Sequence, residues 1–308
     1  ATAFWIRRIW RIVPAAWTCI AVSLVLVLLF NESGALGTVK GNLIVGASAL
    51  LNFANYTFGL LYGDSEYRNI LFVHWSLSLE MQFYLLFPVV VLLCRRFLVP
   101  VLILATVVQL LAAGTVINGF RSDALFTGVL LAIWSTSGSY WRARTVLRRI
   151  TPPGTAAVVL IYASLVVLGQ DAMPFPRAHP LSLVVPVCAL AVLIASCNLD
   201  VLVPSPGPRK VMLWIGSRSY SLYLWHIPAF ALTRELFFRL GYRPLYAMSD
   251  PTVVIYTAMG IGLCLLLAEA SYRLVEVPFR RQGRRIARNW NAGPPAASGE
   301  PGPAAHQG

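Results

Sequence analysis

The chain has 308 residues, 57% of them hydrophobic and only 12% charged, with a formal net charge of +13 and a mean hydropathy of +0.69. Soluble domains carry about 25% charged residues. Half that share, with apolar runs reaching the roughly 20 residues a bilayer core requires, excludes an ordinary soluble globule and predicts an all-α, polytopic transmembrane helix bundle. The basic excess falls between apolar runs, where topology accounts for it. It leaves no basic face interleaved with aromatics, so no nucleic-acid partner is expected and the lipid bilayer is the natural environment. Cys19, Cys94, Cys188, Cys197 and Cys264 are scattered, mostly within apolar runs, with no Cys-x-x-Cys pair and no zinc-ligand spacing, so no metal is expected. No Gly-x-Gly-x-x-Gly or Walker-type loop is present, which removes nucleotide hydrolysis.

Residues 1–13 are basic and aromatic (Phe4, Trp5, Arg7, Arg8, Trp10, Arg11), the pattern of a helix lying at headgroup level. A first span follows at about 14–30, ended by Asn31-Glu32-Ser33-Gly34. Residues 43–63 are moderately apolar, but Asn52 and Asn55, with Asn42 and Gly41 just ahead, suit a re-entrant or cavity-lining segment better than a lipid-facing helix. Further spans are expected at about 74–94, 98–117, 124–139, 155–170, 181–198, 212–233 and 252–275. The segments around 7–11, 95–96, 142–149, 209–210 and 280–288 hold 16 Lys and Arg, against 7 in the opposite connections. With 43–63 not crossing, this gives eight spans and places Arg8, Arg11 and the C-terminus in the cytoplasm. Residues 1–282 form one integral-membrane domain. Residues 283–308 are basic and then, after Trp290, a disordered tail of Ala, Gly, Pro and Ser.

Four polar constellations interrupt the hydrocarbon. A helix over 74–94 places Ser76, Glu80 and Tyr84 on one face, with His74 and Trp75 at its entry end. A carboxylate inside a span is costly, so Glu80 either fixes packing through a neighbouring helix or serves function, and its polar stripe favours function. In Gly216-Ser-Arg-Ser-Tyr-Ser-Leu-Tyr-Leu-Trp-His-Ile-Pro228, Ser219, Tyr223 and His226 share a face. His226 is equally readable as base, proton shuttle or hydrogen-bond donor and as an interfacial histidine in an aromatic belt. Glu269, Arg273 and Glu276 fall on one helical face as an internal ion pair, favouring a structural staple. Arg8 and Arg11, three residues apart, can grip phosphates bidentately, although spacing alone favours ordinary cytoplasmic anchoring.

Taken in order these blocks resemble the acyltransferase 3 family of bacterial membrane O-acyltransferases. Arg8-x-x-Arg11-Ile-x-Pro14 resembles its Arg-x-x-Arg signature, and Trp75-Ser-Leu-Ser-Leu-Glu80-Met-Gln82-Phe83-Tyr84 is similar to its Trp-Ser-Leu-x-x-Glu-x-Gln-Phe-Tyr block. Ser219-Tyr220-Ser-Leu-Tyr223-Leu-Trp225-His226 and Glu276-x-Pro278 match two later blocks, and Arg121-Ser-Asp123-Ala-Leu with Gly128 a shorter one. The resemblance spans residues 4–282. It implies transfer of an acyl group, commonly acetyl from acetyl-CoA, to a hydroxyl of a carbohydrate or glycosylated acceptor. It also implies that Arg8 and Arg11 bind the donor's phosphates, which turns their balance towards function.

The family carries two further helices ahead of its Arg motif, the first bearing the histidine regarded as catalytic. Eight spans and two more make the family's ten, so the chain is expected to be N-terminally truncated, and inactive on its own if that histidine is the base. The expected mechanism has the acceptor oxygen attack the thioester as a base takes its proton. Glu80, Ser76 and Tyr84 orient the base or acceptor, and His226 and Tyr223 donate to the oxyanion. A transporter or flippase of a polar or lipid-linked sugar, or an inactive fragment, is the alternative.

Overall fold

The computed structural model describes residues 2–61, 63–111, 122–150, 161, 163, 179–196, 206–242 and 251–292. Among them the helices are α1 (Thr2–Leu29), α2 (Val39–Leu50), α3 (Ala54–Leu61), α4 (His74–Leu93), α5 (Leu98–Leu111), α6 (Asp123–Ser135), α7 (Gly138–Ile150), α8 (His179–Ser196), α9 (Pro206–Arg239), α10 (Pro251–Ser271) and α11 (Val277–Ala292). A π turn, Tyr272–Glu276, joins the last two into a continuous helical run. The only non-helical pairing among the described residues is an isolated bridge between Gly37 and Asn69, so the all-α expectation holds.

Polarity is arranged inside out. Leu29, Leu60, Leu92, Leu93, Leu266 and Leu274 are exposed, while Asn42, Asn55, His74, Ser78, Asp123, Ser221, Thr233, Glu235 and Glu276 are buried. That distribution suits a hydrocarbon solvent, in which backbone and side-chain polar groups must be satisfied internally. Thr2–Leu29, His74–Leu93 and Thr252–Trp290 are long and apolar enough to cross a bilayer, and Val39–Leu50, Leu98–Gln109, Asp123–Ser135 and Val184–Ser196 are shorter apolar helices.

Several boundaries differ from expectation. The headgroup-level segment 1–13 and the span after it are one helix, α1, with Pro14 inside. Proline's fixed φ is helical, and its missing N–H removes one bond without ending the helix; Thr18 Oγ1 donates to the Pro14 carbonyl at 2.8 Å. The span expected at 212–233 lengthens to the 34 residues of α9, about 51 Å at 1.5 Å per residue. α11 runs through residue 282 to Ala292, so the basic stretch continues the helix rather than leaving it. The span expected at 155–170, apart from residues 161 and 163, and the tail beyond 292 lie outside the described residues.

The chain divides into two compact units, residues 1–26 with 220–308, and residues 27–219. In the second, the segment read as re-entrant is two short helices, about 18 Å and 12 Å long at 1.5 Å per residue, each shorter than a bilayer core. They part at Leu51–Phe53, where Asn52 takes φ 60°, a conformation Asn tolerates better than most residues. Fully buried Asn42 anchors the segment: its Nδ2 donates to the carbonyls of Leu36 (2.8 Å) and Thr38 (2.9 Å), and its Oδ1 accepts from Ile70 N–H (3.1 Å). Thr38 caps α2 through the Gly41 N–H at 2.9 Å. Lys40 is hydrogen-bonded to Glu66, which raises the amine above its ordinary 10.5. Gly37, at φ +82°, and Gly41 lie against the Arg68 carbonyl so closely that a Cβ on either would sit 2.4 Å or 2.6 Å from that oxygen, which leaves room for glycine alone.

Candidate active site

In the first unit, three of the four blocks meet on one set of helices. Tyr220 Oη donates to the Ile12 carbonyl at 2.7 Å, and Cys19 Sγ to the Leu224 carbonyl at 3.4 Å. Both contacts advance together along the chain, so α1 and α9 lie side by side and parallel, with Arg11 one residue from the first contact. Arg11 is exposed, and Arg8, half-buried, lies over the Phe4 ring at 5.4 Å. Phe230 meets Gly260 and Ser221 meets Glu276, so α10 and the π turn run antiparallel to α9. Trp10 stacks on Phe279 at 5.8 Å and seats against Gly283, closing α11 onto the start of α1.

Glu276 corrects an expectation. Counting by 3.6 residues put it on the face of Glu269 and Arg273. The π turn carries an extra residue per hydrogen-bonded loop and rotates it away. The Glu269–Arg273 pair forms at the surface, with Arg273 71% exposed. Glu276, 1% exposed, instead accepts from Ser221 Oγ at 2.9 Å and pairs with Arg280 at 3.4 Å. A buried carboxylate with a hydroxyl donor and a guanidinium is a neutralised staple between α9 and the π turn.

His226 and Tyr223 lie one to two turns further along α9. The rings are 5.6 Å apart at 48°, and His226 Nδ1 donates to the Tyr223 carbonyl at 2.6 Å. A carbonyl can only accept, so the proton of the neutral imidazole resides on Nδ1 and Nε2 carries the lone pair. His226 is half-buried, so Nε2 is a proton acceptor within reach of solvent or substrate. Buried Trp225 Nε1 and Ser271 Oγ have no hydrogen-bond partner among the described residues.

The fourth block lies in the second unit, on α4. Tyr84 Oη donates to Glu80 Oε1, one turn away. Ser76 Oγ donates to the Val73 carbonyl at 3.4 Å. All three residues are half-buried. Gln82, on another face, clamps the broken segment: its Nε2 donates to the Asn52 carbonyl (2.7 Å) and the Asn55 Oδ1 (3.0 Å), and Asn55 Nδ2 returns a bond to Gln82 Oε1 (3.2 Å). Ser78 Oγ accepts from the Ala54 N–H at 3.2 Å. His74 is buried, its Nδ1 on the Leu71 carbonyl at 2.9 Å. Trp75 stacks with Phe58 at 5.8 Å. Arg121 of the shorter block lies outside the described residues, and Asp123 is buried in the first turn of α6.

The structure thus joins Tyr84 to Glu80 and Tyr223 to His226. It links the Arg motif to the 216–228 block through Tyr220, a residue not singled out for a role. Asn42 and Asn55 were read only as misfits in an apolar run, and the clamp of Gln82 has no signature in spacing.

A family model described as an acyltransferase domain, acyltransferase 3, matches residues 1–269. The chain is 27% identical over 310 residues to the "Putative peptidoglycan O-acetyltransferase YrhL" of Bacillus subtilis strain 168, covering 92% of this chain and 46% of that protein. It is 27% identical over 303 residues to O-acetyltransferase OatA of Staphylococcus aureus strain NCTC 8325, covering 91% and 47%. The chain spans about half the length of the curated relatives it matches. No solved structure matches it. A match over most of its length, one that takes in the arginine and Ser-Tyr-Ser blocks, shows that the chain belongs to the acyltransferase 3 family of membrane proteins.

Proposed function

We propose that the chain is the membrane core of an O-acyltransferase that moves an acyl group, acetyl in the simplest case, from acyl-CoA to a hydroxyl of a carbohydrate. The observation that carries this is the Tyr220–Ile12 contact. It sets the diarginine motif, with Arg11 exposed and Arg8 half-buried, beside the helix that bears a histidine with a free lone pair. A relative named for peptidoglycan favours a cell-wall glycan as acceptor.

In this mechanism Arg8 and Arg11 hold the CoA phosphates through paired charge-assisted hydrogen bonds. A base takes the acceptor's hydroxyl proton as its oxygen attacks the thioester carbonyl. The tetrahedral intermediate collapses, the C–S bond breaks, and CoA leaves as a thiolate that is then protonated. With Nδ1 committed to the Tyr223 carbonyl, neutral His226 accepts a proton at Nε2 rather than donating to the oxyanion. In the second unit Glu80, with Tyr84 on its carboxylate and Ser76 one turn away, is a half-buried polar group open to a substrate. The excess of 16 over 7 basic residues supports an inner-membrane protein of about eight spans, with the arginine motif and the C-terminal helix in the cytoplasm. Residues 1–282 make up this membrane domain.

The test is transfer of radiolabelled acetyl from acetyl-CoA to glycan by membranes carrying the chain. Arg8→Ala with Arg11→Ala should raise the KM for acetyl-CoA about tenfold to a hundredfold, the worth of one or two charge-assisted bonds. His226→Gln should lower kcat about 10²-fold or more. Wild-type kinetics in both variants refute the assignment.

A further inference from the structure

We propose that the arginine stripe of α11 is a binding surface for anionic phospholipid headgroups. α11 carries Arg280, Arg281, Arg284, Arg285 and Arg288 in 16 residues, with no Asp or Glu. One face of the helix is committed: Gly283 and Phe279 pack on Trp10, Ala287 is fully buried, and Arg280 turns to Glu276. At 3.6 residues per turn the other four arginines fall within an arc of about 100°, opposite that face. All four are exposed, and none takes part in an ion pair among the described residues.

Depth selects the ligand. α11 continues the helical run of α10 and the π turn, whose exposed Leu265, Leu266 and Leu274 suit hydrocarbon. Arg281 follows Leu274 by seven residues, about 10 Å of helix, enough to cross a headgroup layer of roughly 5–8 Å. Arg281 to Arg288 spans another 10 Å or so, within a screening length of an anionic surface. A row of exposed single-sign charge along one helix face fits many laterally mobile phosphates better than one enclosed phosphate ligand.

The experiment places the full chain in nanodiscs of equal phosphatidylglycerol and phosphatidylcholine and counts retained lipids by native mass spectrometry. An arginine near an anionic surface raises lipid affinity about fivefold, so the wild type should enrich phosphatidylglycerol at least about that much over the bulk ratio. R281Q/R284Q/R285Q/R288Q should lower that enrichment severalfold, and the matching quadruple lysine variant should keep it. Raising NaCl from about 0.1 to about 1 M, which shortens the screening length from about 10 to about 3 Å, should collapse the preference in the wild type itself. An unenriched wild type overturns the proposal. So does enrichment that the glutamine substitutions leave undiminished or that persists at high salt, and so does displacement of phosphatidylglycerol by added coenzyme A.

Discussion

Ser221→Ala isolates the staple that joins the Ser-Tyr-Ser block to the Glu-x-Pro block. Ser221 is fully buried, and its hydroxyl gives Glu276 a 2.9 Å bond, the shorter of the two contacts that satisfy this carboxylate. The substitution removes one oxygen and leaves almost no cavity, so the effect is that of the hydrogen bond. A bond to a charged group contributes about 1.5–3 kcal/mol, and the desolvated carboxylate it leaves behind keeps the loss near the upper end. Arg280 cannot make up the difference, because at 3.4 Å and 31% side-chain exposure it is a longer and partly hydrated partner. The folded-to-unfolded ratio should fall by about a hundredfold. Unfolding by denaturant titration in detergent micelles, followed by tryptophan emission, reads this directly. In Ser221→Ala with Glu276→Gln the two losses should not add, with a coupling of about 0.5–3 kcal/mol between contacting groups. A Ser221→Ala protein within about 0.5 kcal/mol of wild type, or additive losses, would refute the staple.

Asn42→Ala should cost about 2–4 kcal/mol in the same titration, because it orphans the Leu36 carbonyl and the Ile70 N–H inside the second unit. Protease cleavage within residues 31–70 should rise in parallel; unchanged cleavage would argue against an anchor. Gly283→Ala places a Cβ 2.4 Å from the Trp10 Cβ, an atom no rotamer change can move. It should therefore shift α11 against α1 at an overpacking cost of about 1–3 kcal/mol, whereas Gly262→Ala, with open space at its Cβ inside α10, should not lower the melting temperature and should raise it slightly.

The helical, membrane-embedded character was legible because it rests on composition and run length, which survive any error in boundaries. The boundaries of α1 and α9 were not. Arg, Trp and Lys end an apolar window without ending a helix, and in α1 a proline that suggests a break is accommodated. The Ser76/Glu80/Tyr84 stripe was legible because all three residues lie on one regular helix, where i, i+4 counting is geometry. Glu276 was misplaced because that counting assumes an α-helix, and a π turn leaves no compositional trace. Tyr220–Ile12 and Ser221–Glu276 join residues 208 and 55 positions apart. Spacing carries no information at that range. Only the idea that the motifs serve one site pointed to their proximity, and in the first unit three of them do converge.

Two carboxylates on motif helices invite the same functional role, and their surroundings separate them. Glu276 is 1% exposed and bonded to Ser221 and Arg280, so its charge is already neutralised and its oxygens are enclosed. An acceptor could reach it only by breaking the staple, which would leave a buried ion unpaired at about 3–5 kcal/mol. Glu80 is half-buried, with the Tyr84 hydroxyl on one oxygen, and it can meet a substrate without dismantling a helix contact. Glu276→Gln should therefore lower stability and reduce activity only in proportion to the folded protein recovered. Glu80→Gln should melt within a few degrees of wild type yet lower kcat/KM for the acceptor by about tenfold or more, the loss of one charge-assisted bond. Initial rates on equal amounts of folded protein, set against melting temperatures, separate the two cases. If Glu276→Gln is stable and slow while Glu80→Gln is unstable and fast, burial has assigned the two residues the wrong way round.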